Sequence, residues 1–209
     1  MKKYISLLLP VIVLLAVATG CKKSDSNQGP KILTHTVTVS WFRDSTTANP
    51  AAFLDLYHRV AYTSANAALK ADSIDLFVYD NSALTISSTT LGVIDMVFFG
   101  NNNYAAYSSF NQVVGVVPFS NYNASTVSEV AITPADFNNI NYNVDIASLF
   151  ASKALNGGYT DITINSTDLT TLKYYQFVCA KTGKRGFFHV ISSNYLPGGY
   201  MTLEIKVEQ

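Results

Sequence analysis

Residues 200–208 read Y-M-T-L-E-I-K-V-E, placing Met201, Leu203, Ile205 and Val207 in strict alternation with Thr202, Glu204, Lys206 and Glu208. A period of two fits an extended strand with one face in a core and the other in water, and no helix can use it. Two further strand patterns lie just upstream, over residues 174–181 and 186–193. They flank Thr182-Gly183-Lys184-Arg185, a hairpin loop with a glycine free to take positive φ. Pro197-Gly198-Gly199 then turns the chain into the last strand. Both hairpin strands carry large groups on both faces, Tyr175, Phe177 and Cys179 against Tyr174, Gln176 and Val178, and Phe187, His189 and Ile191 against Phe188, Val190 and Ser192. The hairpin therefore belongs inside a sheet, and the C-terminal third is an antiparallel meander with one wet face. Cys179, alternating with Phe177, is expected to be buried and inert.

The same period recurs earlier in the chain. Val37, Val39 and Trp41 alternate with Thr36, Thr38 and Ser40, residues 43–50 are turn chemistry, and residues 53–62 read as one strand with large groups on both faces. Thr63 or Ser64 can cap a short helix over 65–70. Residues 74–79 and 93–99 are strands that each place an aspartate, Asp75 and Asp95, second among bulky apolar and β-branched neighbours. The Ser/Thr-rich stretch 82–90 joins them, so they are expected to be neighbours in one sheet. Residues 113–119 and 127–132 are further short strands. Thr133-Pro134-Ala135-Asp136 combines a cap residue, a proline at the first helical position and an acid in the first turn, which starts a helix. A second helix is expected over 144–155, with Gly157-Gly158 beyond it, and Ile162 and Ile164 alternate with polar residues in a strand over 160–165. The pattern predicts an all-β fold, an antiparallel β-sandwich with two or three short helical connections.

The N-terminus has a different character. Lys2 and Lys3 precede an apolar run from Ile5 to Val17 broken only by Ser6 and Pro10, followed by small residues up to Gly20 and then Cys21. That is a leader peptide, too short and wrongly flanked for a spanning helix. The stretch Leu15-Ala16-Val17-Ala18-Thr19-Gly20-Cys21 resembles the lipobox of bacterial lipoproteins, which implies that Cys21 becomes the acylated first residue of the mature chain. Residues 1–20 are thus the leader, 21–33 the lipidated cysteine with a polar Gly29-Pro30 tether, and 34–209 one β-sandwich domain. Removing residues 1–20 from the 209 leaves 189, enough for a single core. If Cys21 carries lipid, Cys179 is the only thiol left and no intramolecular disulfide can form. Taking Lys2 and Lys3 from the fourteen basic residues leaves twelve against fourteen acidic ones, and no basic patch points to nucleic acid.

The pattern Y-Q-F-V-C-A-K-T-G-K-R-G-F-F-H-V-I-S-S, followed by L-P-G-G-Y-M-T-L-E-I-K-V, is similar to the closing strands of Bacteroidetes-type β-sandwich lipoproteins. Phe53-Leu54-Asp55-Leu56 and Ser73-Ile74-Asp75-Leu76 look like the opening strands of that group. The hairpin and the lipid anchor also carry a more distant similarity to HmuY-type haemophore lipoproteins. The resemblance implies a lipid-anchored protein of the bacterial cell envelope, at the outer membrane, with a sandwich fold and a structural role for the aspartate of I-D-L. It implies no reaction, and the haemophore likeness adds haem as a ligand to test.

The common enzyme signatures are absent: no phosphate loop, no Gly-x-Ser-x-Gly elbow, no His-Glu-x-x-His and no Cys-x-x-Cys. His35, His58 and His189 are spread along the chain and read as ordinary strand histidines, so no metal site and no resident cofactor are expected. Asp75 and Asp95 could face each other as an acid–base pair if their strands pair. The competing reading is that each accepts structural hydrogen bonds. Loops rich in tyrosine and asparagine carry Tyr104, Tyr107, Tyr122, Tyr142 and Tyr159, ring types on which sugars stack while amides pair with their hydroxyls. Against this, tyrosines also cap sheet edges. The favoured expectation is a non-enzymatic binding or accessory module, anchored to the membrane through Cys21, for a glycan or another small ligand. The alternatives are a haem-binding lipoprotein and a hydrolase using Asp75 and Asp95.

Overall fold

The computed structural model describes residues 28–40, 51–80, 93–98, 122–153, 161–165, 172–194 and 199–209. Among these the chain is mostly strand, arranged as two five-stranded antiparallel sheets with few helices. The expectations for residues 1–27, for Trp41 and the turn at 43–50, for the linker at 82–90, for the strand at 113–119 and for Gly157-Gly158 lie outside the described residues.

The first sheet has five strands: β1 (His35–Ser40), β6 (Thr126–Val130), β8 (Tyr174–Val178), β9 (Arg185–Asn194) and β10 (Tyr200–Val207), in the order β1-β10-β9-β8-β6. The second is β3 (Val60–Tyr62), β2 (Phe53–Asp55), β4 (Leu76–Asp80), β5 (Val93–Phe98) and β7 (Asp161–Asn165), in the order β3-β2-β4-β5-β7. Helices are α1 (Ser64–Ala68), α2 (Pro134–Asn138) and α3 (Asn143–Ser152), with one 3₁₀ turn at Ala71–Ser73.

The C-terminal meander forms as its alternation requires. β8 and β9 pair from Tyr174 opposite His189 to Val178 opposite Arg185, and β10 lies against β9. Their loop closes through Cys179 N–H to the Lys184 carbonyl and Gly183 N–H to the Cys179 carbonyl, both 2.8 Å, with Gly183 at φ +67°. Gly186 sits opposite Phe177, whose ring lies where a side chain at 186 would go. A β-carbon there would also come within 2.6 Å of the Lys206 carbonyl.

Two regions differ from the sequence reading. Residues 53–62 are not one strand but a hairpin, with Phe53 opposite Tyr62 and Asp55 opposite Val60. The reversal uses neither glycine nor proline. Asp55 accepts from the backbone N–H of His58, three residues on, at 2.8 Å, and Arg59 takes φ +60°. The second difference is the polar side of the last strand, which reads as wet but is covered near its end. Lys206 is only 4% exposed, and its Nζ donates to the carbonyls of Phe137, Asn138 and Ile140 at 2.8, 3.2 and 3.0 Å. Those carbonyls belong to the end of α2 and the residues after it, so the ammonium caps a helix C-terminus and sits 5.0 Å from the Phe137 ring centre.

Two buried clusters follow. One takes side chains from both sheets: Val37, Val39, Leu54, Leu56, Leu76, Val78, Met96, Val127, Phe177, Phe188 and the inward row of β10. The other lies between the opposite face of β8 and β9 and the helices, joining Tyr174 and Phe187 to Phe137, Ile140 and Ile146. α2 is started by a capping box in which Thr133 Oγ1 accepts from Asp136 N–H at 3.1 Å and Asp136 Oδ2 accepts from Thr133 N–H at 2.8 Å.

Candidate functional site

The densest polar chemistry among the described residues is a buried knot around Asp75, which lies one residue before β4. Its backbone N–H donates to the Leu54 carbonyl at 2.9 Å, holding it beside β2. Its Oδ2 accepts from Leu56 N–H at 2.6 Å, and its Oδ1 accepts from the Asn123 side-chain amide at 2.6 Å and from the Ser125 hydroxyl. Those partners are engaged in turn. Asn123 Oδ1 accepts from Lys181 N–H at 2.9 Å, and Ser125 Oγ accepts from Ala180 N–H at 3.1 Å. One carboxylate thus joins the β2 end of the second sheet to the β6 lead-in and the β8–β9 loop of the first.

Burial dominates its electrostatics. It pushes the Asp75 carboxyl up to about 7, although the three donors pull the other way. The neighbouring Asp55 is also buried and holds His58 twice, through its backbone N–H and through Nδ1 at 2.6 Å, while the imidazole itself is 59% exposed. Cys179 is fully buried beside these carboxylates. Burial first, and the charges of Asp75 and Asp55 next, push its thiol far up, so almost no thiolate is present at neutral pH.

The pairing of β4 with β5 places the two candidate aspartates on neighbouring strands, as expected, but not together. Asp95 is opposite Tyr79, four residues along from Asp75. At the rise of a strand that is about 13 Å of backbone, too far for two aspartates to share one substrate atom. The acid–base pair is therefore corrected to a structural Asp75 whose acceptor sites are occupied.

Of the tyrosines, Tyr104, Tyr107 and Tyr159 lie outside the described residues. Tyr122 is 5% exposed and stacks on Phe53 with ring centres 6.2 Å apart, so it offers no free face to a sugar. Tyr142 stands at the start of α3, its N–H donating to Asp145 at 2.8 Å, and bridges to Lys31. Cys21 lies outside the described residues as well.

The histidines lie on three separate elements. His35 begins β1, His58 lies in the β2–β3 turn, and His189 is buried in β9 with Nε2 2.8 Å from Glu204 and its ring between Phe137 and Tyr174. Among the described residues no group of three or more histidines, cysteines, aspartates or glutamates is placed to hold a metal. No helix among them is long and apolar enough to cross a membrane. Neither Asn123, which lies in one of the tyrosine- and asparagine-rich loops, nor Ser125 is joined to Asp75 by any sequence pattern. They sit 48 and 50 residues from Asp75, and no local pattern announces a bond over that distance.

Comparison of the chain with protein-family models, with characterised proteins and with solved structures finds no match in any of the three.

Proposed function

We propose that the protein is a lipid-anchored, non-catalytic module of the bacterial cell envelope. In this reading residues 1–20 are a leader, Cys21 is acylated, residues 22–33 are a tether, and the two sheets close on their shared core as a β-sandwich. The observation that carries it is the state of the reactive groups. Asp75 spends its oxygens on three donors that tie the sheets, and Cys179 is buried where its thiol stays protonated. A fold that commits a buried acid and its described thiol to holding layers together is using them as structure, and its function then belongs to loops and surface.

The ligand class favoured is a glycan. Tyr122 and Tyr142 are engaged in the fold, which leaves Tyr104, Tyr107 and Tyr159, with Asn101, Asn102 and Asn103 adjacent to the first of them, to supply stacking and hydroxyl recognition. The anchor is tested by detergent phase separation of cells expressing the chain. The protein should enter the detergent phase, and Cys21→Ala should remain aqueous. If Cys21→Ala still partitions into detergent, the anchor reading fails. Affinity electrophoresis through polysaccharide gels tests the ligand: retardation that Tyr104→Ala with Tyr107→Ala abolishes supports it, and equal migration of both forms in every gel removes it.

A further inference from the structure

The turn between β2 and β3 carries two anomalies at one residue. Arg59 has φ +60°, a positive value shared among the described residues only with two glycines. Left-handed backbone is unfavourable for a residue with a β-carbon, and such outliers persist where the surroundings or a function impose them. The Nε and Nη1 atoms of the same side chain are hidden from solvent and have no hydrogen-bond partner. A guanidinium is always charged and carries five N–H donors, and donors shielded from water are nearly always satisfied. Asp55, four residues before it, has both oxygens engaged by His58.

A second basic side chain lies near the same place. His35, at the start of β1, has its pKa lowered, first by burial and then by the Arg59 charge. β1 is the outer strand of the first sheet and β3 the outer strand of the second, and the two lie against one another. Arg59, immediately before β3, and His35 therefore bring two basic groups to one seam between the sheets, and among the described residues no ion pair neutralises either of them.

We propose that this seam is a binding site for an oxyanion, a carboxylate, phosphate or sulfate group carried by a small ligand, with Arg59 as its principal donor and His35 as a second contact that takes up a proton as the anion binds. The unsatisfied guanidinium nitrogens are the donors that group takes up as the Arg59 side chain turns outward to meet it, and the left-handed backbone at 59 is the strain accepted to keep the side chain at the seam. The site lies on the sheet edges and does not depend on the lipid anchor.

His35 is its own reporter, because an anion held between it and Arg59 favours the charged imidazole. The experiment is a proton NMR titration of the three histidines of the full-length chain, with His35 assigned by the signal lost in His35→Gln. It is run in sodium chloride, in inorganic phosphate and in acetate at matched ionic strength. The expected result is a saturable rise in the His35 pKa with phosphate or acetate and not with chloride, and the salt that acts tells a phosphate-like ligand from a carboxylate. In Arg59→Gly the rise should vanish while the Tm stays at or above that of the parent, since glycine accepts the positive φ and removes the unsatisfied cation. Equal His35 titration in all three salts overturns the site, as does an undiminished rise in Arg59→Gly. A fall in Tm for Arg59→Gly also overturns it, by giving the guanidinium a structural job.

Discussion

A carboxylate shut away from water usually loses more in hydration than it gains, and Asp75 is kept by arranging three donors around it from Leu56, Asn123 and Ser125. Asp75→Ala would leave all three donors without an acceptor inside the protein. We expect a loss on the order of 3–5 kcal/mol, read from urea denaturation at pH 7. The acid also sets a pH dependence. Its folded pKa, about 7, is raised by burial above the unfolded value of about 3.9, so the folded state holds the proton more tightly between those values. Its contribution is therefore complete below about pH 4 and is lost as pH rises through 7. Relative to Asp75→Asn, whose side chain does not titrate, the parent should lose stability from pH 4 to pH 7.5 by a few kcal/mol. A parallel pH profile for the two proteins would show that folding does not raise the pKa of Asp75.

At the scale of elements, the β8–β9 hairpin depends on one absent side chain. Gly186 lies opposite Phe177, with the Phe177 ring and the Lys206 carbonyl in the space a β-carbon would need. Gly186→Ala must shift the Phe177 ring and the Lys206 backbone at once and is expected to lower stability by about 2–3 kcal/mol, measured as a drop in the denaturation midpoint with unchanged slope. The elements that sequence revealed best are those whose signal is local. The Thr133–Asp136 capping box, the positive φ at Gly183 and the alternation of β1 and β10 are each written within a few residues. The β2–β3 hairpin is not legible, because its reversal has no glycine or proline and rests on an Asp55 side chain that reaches the His58 N–H and on an arginine in the left-handed region. Lys206 was read as solvent-facing because alternation reports the face of a strand, and only the tertiary fold says that α2 lies over it. The Asp75–Asn123–Ser125 knot was hidden for the same reason, as was the burial of Tyr122 against Phe53.

For the whole molecule, the two sheets are joined by a shared apolar core and by one polar knot, and Cys179 belongs to both. It is fully buried, stands directly before the loop residues Ala180 and Lys181 that bond Ser125 and Asn123, and is the described free cysteine. A thiol reagent reaches it only when the layers part, so its modification rate counts openings. With opening free energies of the usual 5 kcal/mol or more, native labelling should run at least about a thousandfold slower than in urea-unfolded chain. Asp75→Ala, by loosening the same joint, should quicken it by about tenfold for each 1.4 kcal/mol lost. Labelling as fast in the native as in the unfolded protein would place Cys179 at the surface. The pocket that makes this cysteine chemically silent therefore also makes it a clock: a single sulfur whose slow disappearance times how often the two halves of the protein let go of each other.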